Sequence, residues 1–163
     1  MVGLFETWFL WLEETAFAAE IRQSIWLYPV VQYVHIVGII ILVGPAMIFD
    51  LRLMGFARRL GVRDVGKVMI PLSKVGFIIT IASGFSLFIA HATDWAVNPL
   101  FWLKILLIIF AVLNAVIFNK YVMNRLRGLE TYGRLPLRAR ASGALSLVLW
   151  FFIIAAGRFL AYY

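Results

Sequence analysis

The chain has 163 residues, of which 64% are hydrophobic and 14% charged, with a formal net charge of +7 and no cysteine. Soluble domains carry about 25% charged residues, so this composition excludes a water-soluble globule and, despite the basic balance, a disordered or nucleic-acid-binding protein. The absence of cysteine excludes disulfide frameworks, thiolate metal sites, iron–sulfur clusters and thiol catalysis.

In chain order, residues 1–23 come first, an apolar run interrupted by Glu6, Glu13, Glu14 and Glu20. It lacks a basic start and an uninterrupted apolar centre, which argues against a cleaved signal peptide. Leu4, Trp8, Trp11, Leu12 and Thr15 recur at helical spacing. This stripe predicts an amphipathic helix lying in the membrane interface, and its acidic balance suits the outer face.

Residues 24–163 then supply four apolar stretches, Ile25 to Phe49, Ile70 to Ala92, Leu100 to Phe118 and Ala141 to Ala161. A bilayer core needs about 20 apolar residues per helix, and none of the stretches alternates with the period of a strand. The expected fold is therefore all-α: an integral membrane four-helix bundle preceded by an N-terminal interfacial amphipathic helix. No internal repeat or second soluble domain is visible.

Orientation follows from the basic residues. Arg52, Arg58, Arg59, Arg63, Lys67 and Lys74 cluster between spans one and two, and Lys120, Arg125, Arg127, Arg134, Arg138 and Arg140 between spans three and four. Only Arg22, Lys104 and Arg158 lie on the other side, with Glu6, Glu13, Glu14, Glu20 and Asp94. The basic loops are thus expected inside, against anionic lipid, and both termini in the periplasm of a bacterial inner membrane.

Polar groups inside spans are costly enough to mark function. Span one holds Gln32 and His35; span two Thr80, Ser83, Ser86 and His91; span three Lys104 and Asn114; span four Arg158. At 1.5 Å per residue, His35 lies about 9 Å below the outer end of its span, Lys104 about 6 to 8 Å, and His91 and Arg158 about 4 Å. One outer layer thus collects four ionisable groups. Helical phase turns Tyr28, Gln32 and His35 to one face of span one, Thr80, Ser83 and His91 to one face of span two, and Lys104 and Asn114 to one face of span three.

Two neutral imidazoles facing each other across a helical bundle suit haem b. In this reading His35 is an iron ligand and His91 the second ligand or a distal residue, Lys104 or Arg158 pairs with the propionates, and Tyr28, Gln32, Ser83 and Asn114 support them. Gly38, Gly44 and Gly84 would leave room for the macrocycle. Zinc or copper needs three or four ligands, which two histidines do not provide. The expected activity is electron transfer or oxidation of a lipophilic quinol or porphyrinogen at the outer face. The alternatives are a copper or small-solute transport module, with His35 and His91 lining a path, and an accessory or assembly subunit of a membrane complex. A homo-oligomer sharing ligands between chains is compatible with each.

The run from Ser24 through His35 to Asp50-Leu51-Arg52-Leu53-Met54-Gly55, followed by Ser83-Gly84 and by Asn98-Pro99-Leu100-Phe101-Trp102-Leu103-Lys104 leading to Asn114, resembles a family of small bacterial four-helix membrane proteins. More distantly it resembles the haem-b protoporphyrinogen oxidase of the HemJ type and the membrane domain of CopD-like copper proteins. The resemblance implies a haem-ligating role for His35 and a functional role for Lys104, and matches Arg52 loosely to an arginine after the first span. Asn119 stands where such relatives carry a histidine, so the resemblance implies a haem-binding bundle more than a particular reaction.

Overall fold

A computed structural model of the chain describes residues 2–123, 135–160 and 162. Arg125, Arg127, Arg134 and Ala161, and the side chain of Leu4, lie outside the described residues. All regular structure among the described residues is helical: α1 (Val2–Glu13), α2 (Ala16–Gln23), α3 (Leu27–Met54), α4 (Val62–Ala90), α5 (Ala92–Val97), α6 (Pro99–Ile117), which runs on into a π-helical turn (Phe118–Met123), and α7 (Leu137–Phe159). Helices α3, α4, α6 with its π turn, and α7 are each long and apolar enough to cross a membrane. The protein is an all-helical, multi-pass membrane bundle. One end of the bundle carries α1, α2 and α5 and is called the terminal end; the other, the basic end, carries the loop of residues 55–61.

Without a hydrophobic driving force between helices in lipid, close packing of small residues must hold them together. The tightest seam joins α3 to α4. A Cβ on Gly76 would overlap the backbone of Ile41 and Leu42, and one on Gly38 would lie 2.8 Å from Thr80 Oγ1. Gly143 performs the same service between α7 and α3, where an added Cβ would meet the Asp50 carbonyl oxygen at 2.9 Å. Helix α6 packs on α7 through Ala111, Leu149 and Ile153. Two further hydrogen bonds, Asn114 Nδ2 to the Ser142 carbonyl (3.1 Å) and Ser142 Oγ to Asn114 Oδ1 (3.0 Å), pin that seam.

These contacts arrange the spans in the order α4, α3, α7, α6. The ring does not close, because no Cα of α4 comes within 8 Å of α6. At the terminal end the gap is bridged by Phe88 stacked on Phe101, with ring centroids 5.1 Å apart.

At the basic end Phe49, Leu53, Val62, Phe118, Leu135 and Ala139 form a buried cluster. Helix α3 continues past the apolar stretch, which stops at Phe49, and ends at Gly55, whose φ of 111° is a conformation that favours glycine. Arg52 is 2% exposed, and its Nε donates to the Leu60 carbonyl at 2.6 Å, tying down the connecting loop.

The N-terminal segment is two helices, not one. Thr15 caps α2, accepting from the Ala18 N–H at 3.3 Å, and the chain turns there. Ala18 and Ile21 of α2 are completely buried, whereas Trp8 and Trp11 of α1 are exposed. Glu13 clamps the pair to the bundle: its Oε2 accepts from the Thr93 hydroxyl (2.5 Å) and backbone N–H (3.0 Å), and its Oε1 lies 3.4 Å from Arg22. Arg22 in turn donates to the Ala90 carbonyl at 3.0 Å.

Burial alone would raise the Glu13 carboxyl. The Thr93 hydrogen bonds and the charges of Arg22 and His91 outweigh it and hold the group below its ordinary value of 4.5. A carboxyl depressed in the folded state stabilises above its unfolded value, and that contribution is lost as pH falls through the folded value. Amide exchange across α2, corrected for intrinsic rates, should therefore lose protection as pH drops below 4.5. Glu13→Gln should lose part of it at neutral pH already and show no further change on acidification. Wild-type protection that stays constant through that window would contradict the clamp.

Candidate functional site

In the terminal half of the bundle α3 presents His35 to α4. Its Nδ1 lies 3.1 Å from the Thr80 carbonyl oxygen and 3.0 Å from Ser83 Oγ. A carbonyl only accepts, so Nδ1 carries the proton. Ser83, itself 6% exposed, gives its hydroxyl proton to the Ile79 carbonyl at 2.6 Å, leaving its oxygen to accept from His35. The tautomer of the neutral ring is thereby fixed, and Nε2 keeps its lone pair without a hydrogen-bond partner. Gly84 creates the space: a Cβ there would lie 2.9 Å from His35 Cε1.

Lys104 reaches the same region from α6. Asn98 caps that helix by accepting from the Leu100 N–H at 2.9 Å, with Pro99 in the first turn, where its missing N–H costs nothing. Lys104 follows one turn later. Its Nζ comes within 3.4 Å of where a Cβ on Gly157 of α7 would stand, and its charge acts on His35. Helix α4 thus holds the imidazole that α3 presents, and Lys104 of α6 approaches it alongside Gly157 of α7.

The structure does not bring His91 to this site. The hydropathy pattern carries span two to Ala92, but α4 ends at Ala90, and His91 breaks the helix with φ −143° and ψ 47°. Its ring packs edge-on against Tyr28 at 5.8 Å and its Nδ1 lies 3.7 Å from Asp94 Oδ2, in a cleft of about 760 Å³ that Trp95 and Asn98 also line. Tyr28 precedes His35 by two turns, about 10 Å along the axis. No hydrogen bond or ring contact among the described residues joins His91 to His35.

Arg158 is likewise elsewhere. It is exposed, donating to the Tyr162 hydroxyl at 2.6 Å with its guanidinium over that ring. Gln32 is exposed on α3. Asn114 belongs to the α6–α7 seam, not to the His35 site. Nor do Gly38 and Gly84 leave a slot for a macrocycle. Gly38 is filled by Thr80 and Ile79, and Gly84 by His35 itself, while Gly44 has nothing within 4 Å.

The donor set fits a haem in one respect: it offers one oriented imidazole nitrogen beside a cation, which is what a single axial bond and a propionate need. It offers no second histidine. Among the described residues, no group of three or more His, Cys, Asp or Glu could hold a metal ion.

Sequence reasoning passed over one buried group. Asp50, counted as a loop charge, is 6% exposed inside α3, within hydrogen-bonding reach of Ser146 on α7. Ser142 and Ser146, one turn apart, were the available signal for a polar wall facing it. No family model, no curated protein and no solved structure matches the chain.

Proposed function

We propose that the protein binds haem b through His35 in a bacterial inner membrane and serves electron transfer or the oxidation of a lipophilic substrate, a quinol or porphyrinogen, on the periplasmic side. The observation that carries this reading is the held imidazole. A metal-ligating histidine almost always donates its second N–H to a carbonyl or carboxylate, and the Thr80 carbonyl and Ser83 occupy that role here. Bound there, haem supplies the one-electron chemistry.

The chain's own part is to hold and orient. Ser83 and Thr80 fix the ring plane of His35, Lys104 would neutralise a propionate of the bound group, and the apolar spans keep the dielectric low, which would strengthen that pairing. The distribution of basic residues supports the orientation, with residues 55–61 on the cytoplasmic side and the terminal end in the periplasm. His35 alone among the residues at this site would ligate the iron of a bound haem, and the group would supply electron transfer or oxidation chemistry there.

The test is a visible spectrum of the protein purified after expression with a haem precursor. A Soret band with about one haem per chain is expected. A colourless preparation would overturn the proposal.

A further inference from the structure

A second site lies toward the basic end. Asp50 follows His35 by fifteen residues on α3, about 22 Å along the axis. There α3, α4, α6 and α7 enclose a cavity of about 270 Å³. Its wall is mostly apolar, with Phe49, Phe77 and Trp150 among the lining side chains, and its polar groups include Asp50, Ser73 and Lys74.

Two of those groups are unsatisfied. Asp50 Oδ2 and Ser73 Oγ are buried with no hydrogen-bond partner, a state that costs free energy in any low-dielectric setting. Asn114 and Ser142, on the same wall, satisfy one another and demand nothing. The vacant requirements are thus a donor for Asp50 and a partner for the Ser73 hydroxyl. A phenolic hydroxyl meets both, because it donates one hydrogen bond and accepts another.

Size and access narrow the occupant. The volume is slightly below the range of about 300 to 1,000 Å³ typical of pockets for drug-sized ligands, so it suits a single aromatic ring and not a macrocycle. The cavity is walled by both α4 and α6, whose Cα atoms nowhere come within 8 Å of each other. Entry between them is from the acyl chains, so the occupant is lipid-soluble. From these features we infer that the cavity binds the head group of a membrane-soluble hydroquinone, with one ring hydroxyl donating to Asp50 Oδ2. Ser73 and Lys74 stand on the same wall to donate to its oxygens, and Phe77 and Trp150 flank the ring. This inference does not rest on the haem reading, since the two sites share no residue.

Equilibrium binding of radiolabelled decyl-hydroquinone to the full chain in nanodiscs, under anaerobic conditions, tests it. The comparison ligand is the dimethyl ether, which has the same ring and tail but no hydroxyl donor. The hydroquinone should bind about ten-fold more tightly than the diether, the discrimination that one buried unpaired acceptor provides. In Asp50→Leu the two ligands should bind alike. Equal binding to the wild-type chain would overturn the inference and leave an apolar slot for lipid tails, and this arm stands even if Asp50→Leu fails to fold. Failure of excess unlabelled hydroquinone to displace the label would also overturn it, since it would show partition into lipid and no site. A colourless preparation defeats only the haem reading, and a failure to discriminate defeats only this one.

Discussion

His35→Ala is expected to abolish the Soret band of the purified protein, whereas His91→Ala should leave it in place. The asymmetry follows from position. His35 is the only histidine inside a span, its Nδ1 held by two acceptors and its Nε2 unpartnered. His91 sits at the helix break with Tyr28 and Asp94. Ser83→Ala should weaken haem retention by about 10- to 100-fold without removing the ligand, the usual effect of losing a partner that orients a metal-binding histidine. Gel filtration of each variant separates loss of haem from loss of fold. Disappearance of the band in His91→Ala with the fold intact would restore the two-histidine arrangement that the sequence suggests. Survival of the band in His35→Ala would remove the haem site from this part of the bundle.

The largest structural effect is expected at Gly76. Any side chain there meets backbone atoms of Ile41 and Leu42, and backbone cannot rotate away as a flexible side chain can. Overpacking of interiors costs about 1 to 3 kcal/mol and occasionally more. Gly76→Val should sit at the upper end, about 3 kcal/mol or beyond, and so leave little folded protein in detergent. Gly44→Ala is the matched control, since nothing lies within 4 Å of its position. Thermal denaturation followed by circular dichroism should place Gly44→Ala beside wild type and Gly76→Val far below it. Equal stability of the two variants would refute the close approach of α3 and α4.

The four spans were legible in the sequence because hydropathy over twenty residues is a statement about solvent, and lipid is the solvent of α3, α4, α6 and α7. Their ends were less so. Helix α3 runs on through Asp50 and Arg52, since both are buried by protein, and charge counting treats such residues as loop. The pairing of His35 with Ser83 and its nearness to Lys104 follow from helical phase, which fixes the face each residue occupies. The displacement of His91 does not follow, because phase extrapolates a helix through a residue whose backbone leaves it. The glycines misled for a related reason: a residue without a side chain marks a close approach but does not say whether a neighbouring helix or a bound group makes it. Here Gly38 receives Thr80, and Gly84 receives the imidazole.

The seam through Gly38 and Gly76 also bears on how the protein is made. Helices α3 and α4 are consecutive, joined by residues 55–61, and share the most extensive interface in the bundle. Closing so short a loop costs little chain entropy, so the pair can assemble as a hairpin while the rest of the polypeptide is still being synthesised. Helices α6 and α7 form a second hairpin, and the α3–α7 contact at Gly143 joins the two. In that order of assembly the α3–α4 face of the His35 site, with Thr80 and Ser83 in place, is built before Lys104 arrives with the second hairpin.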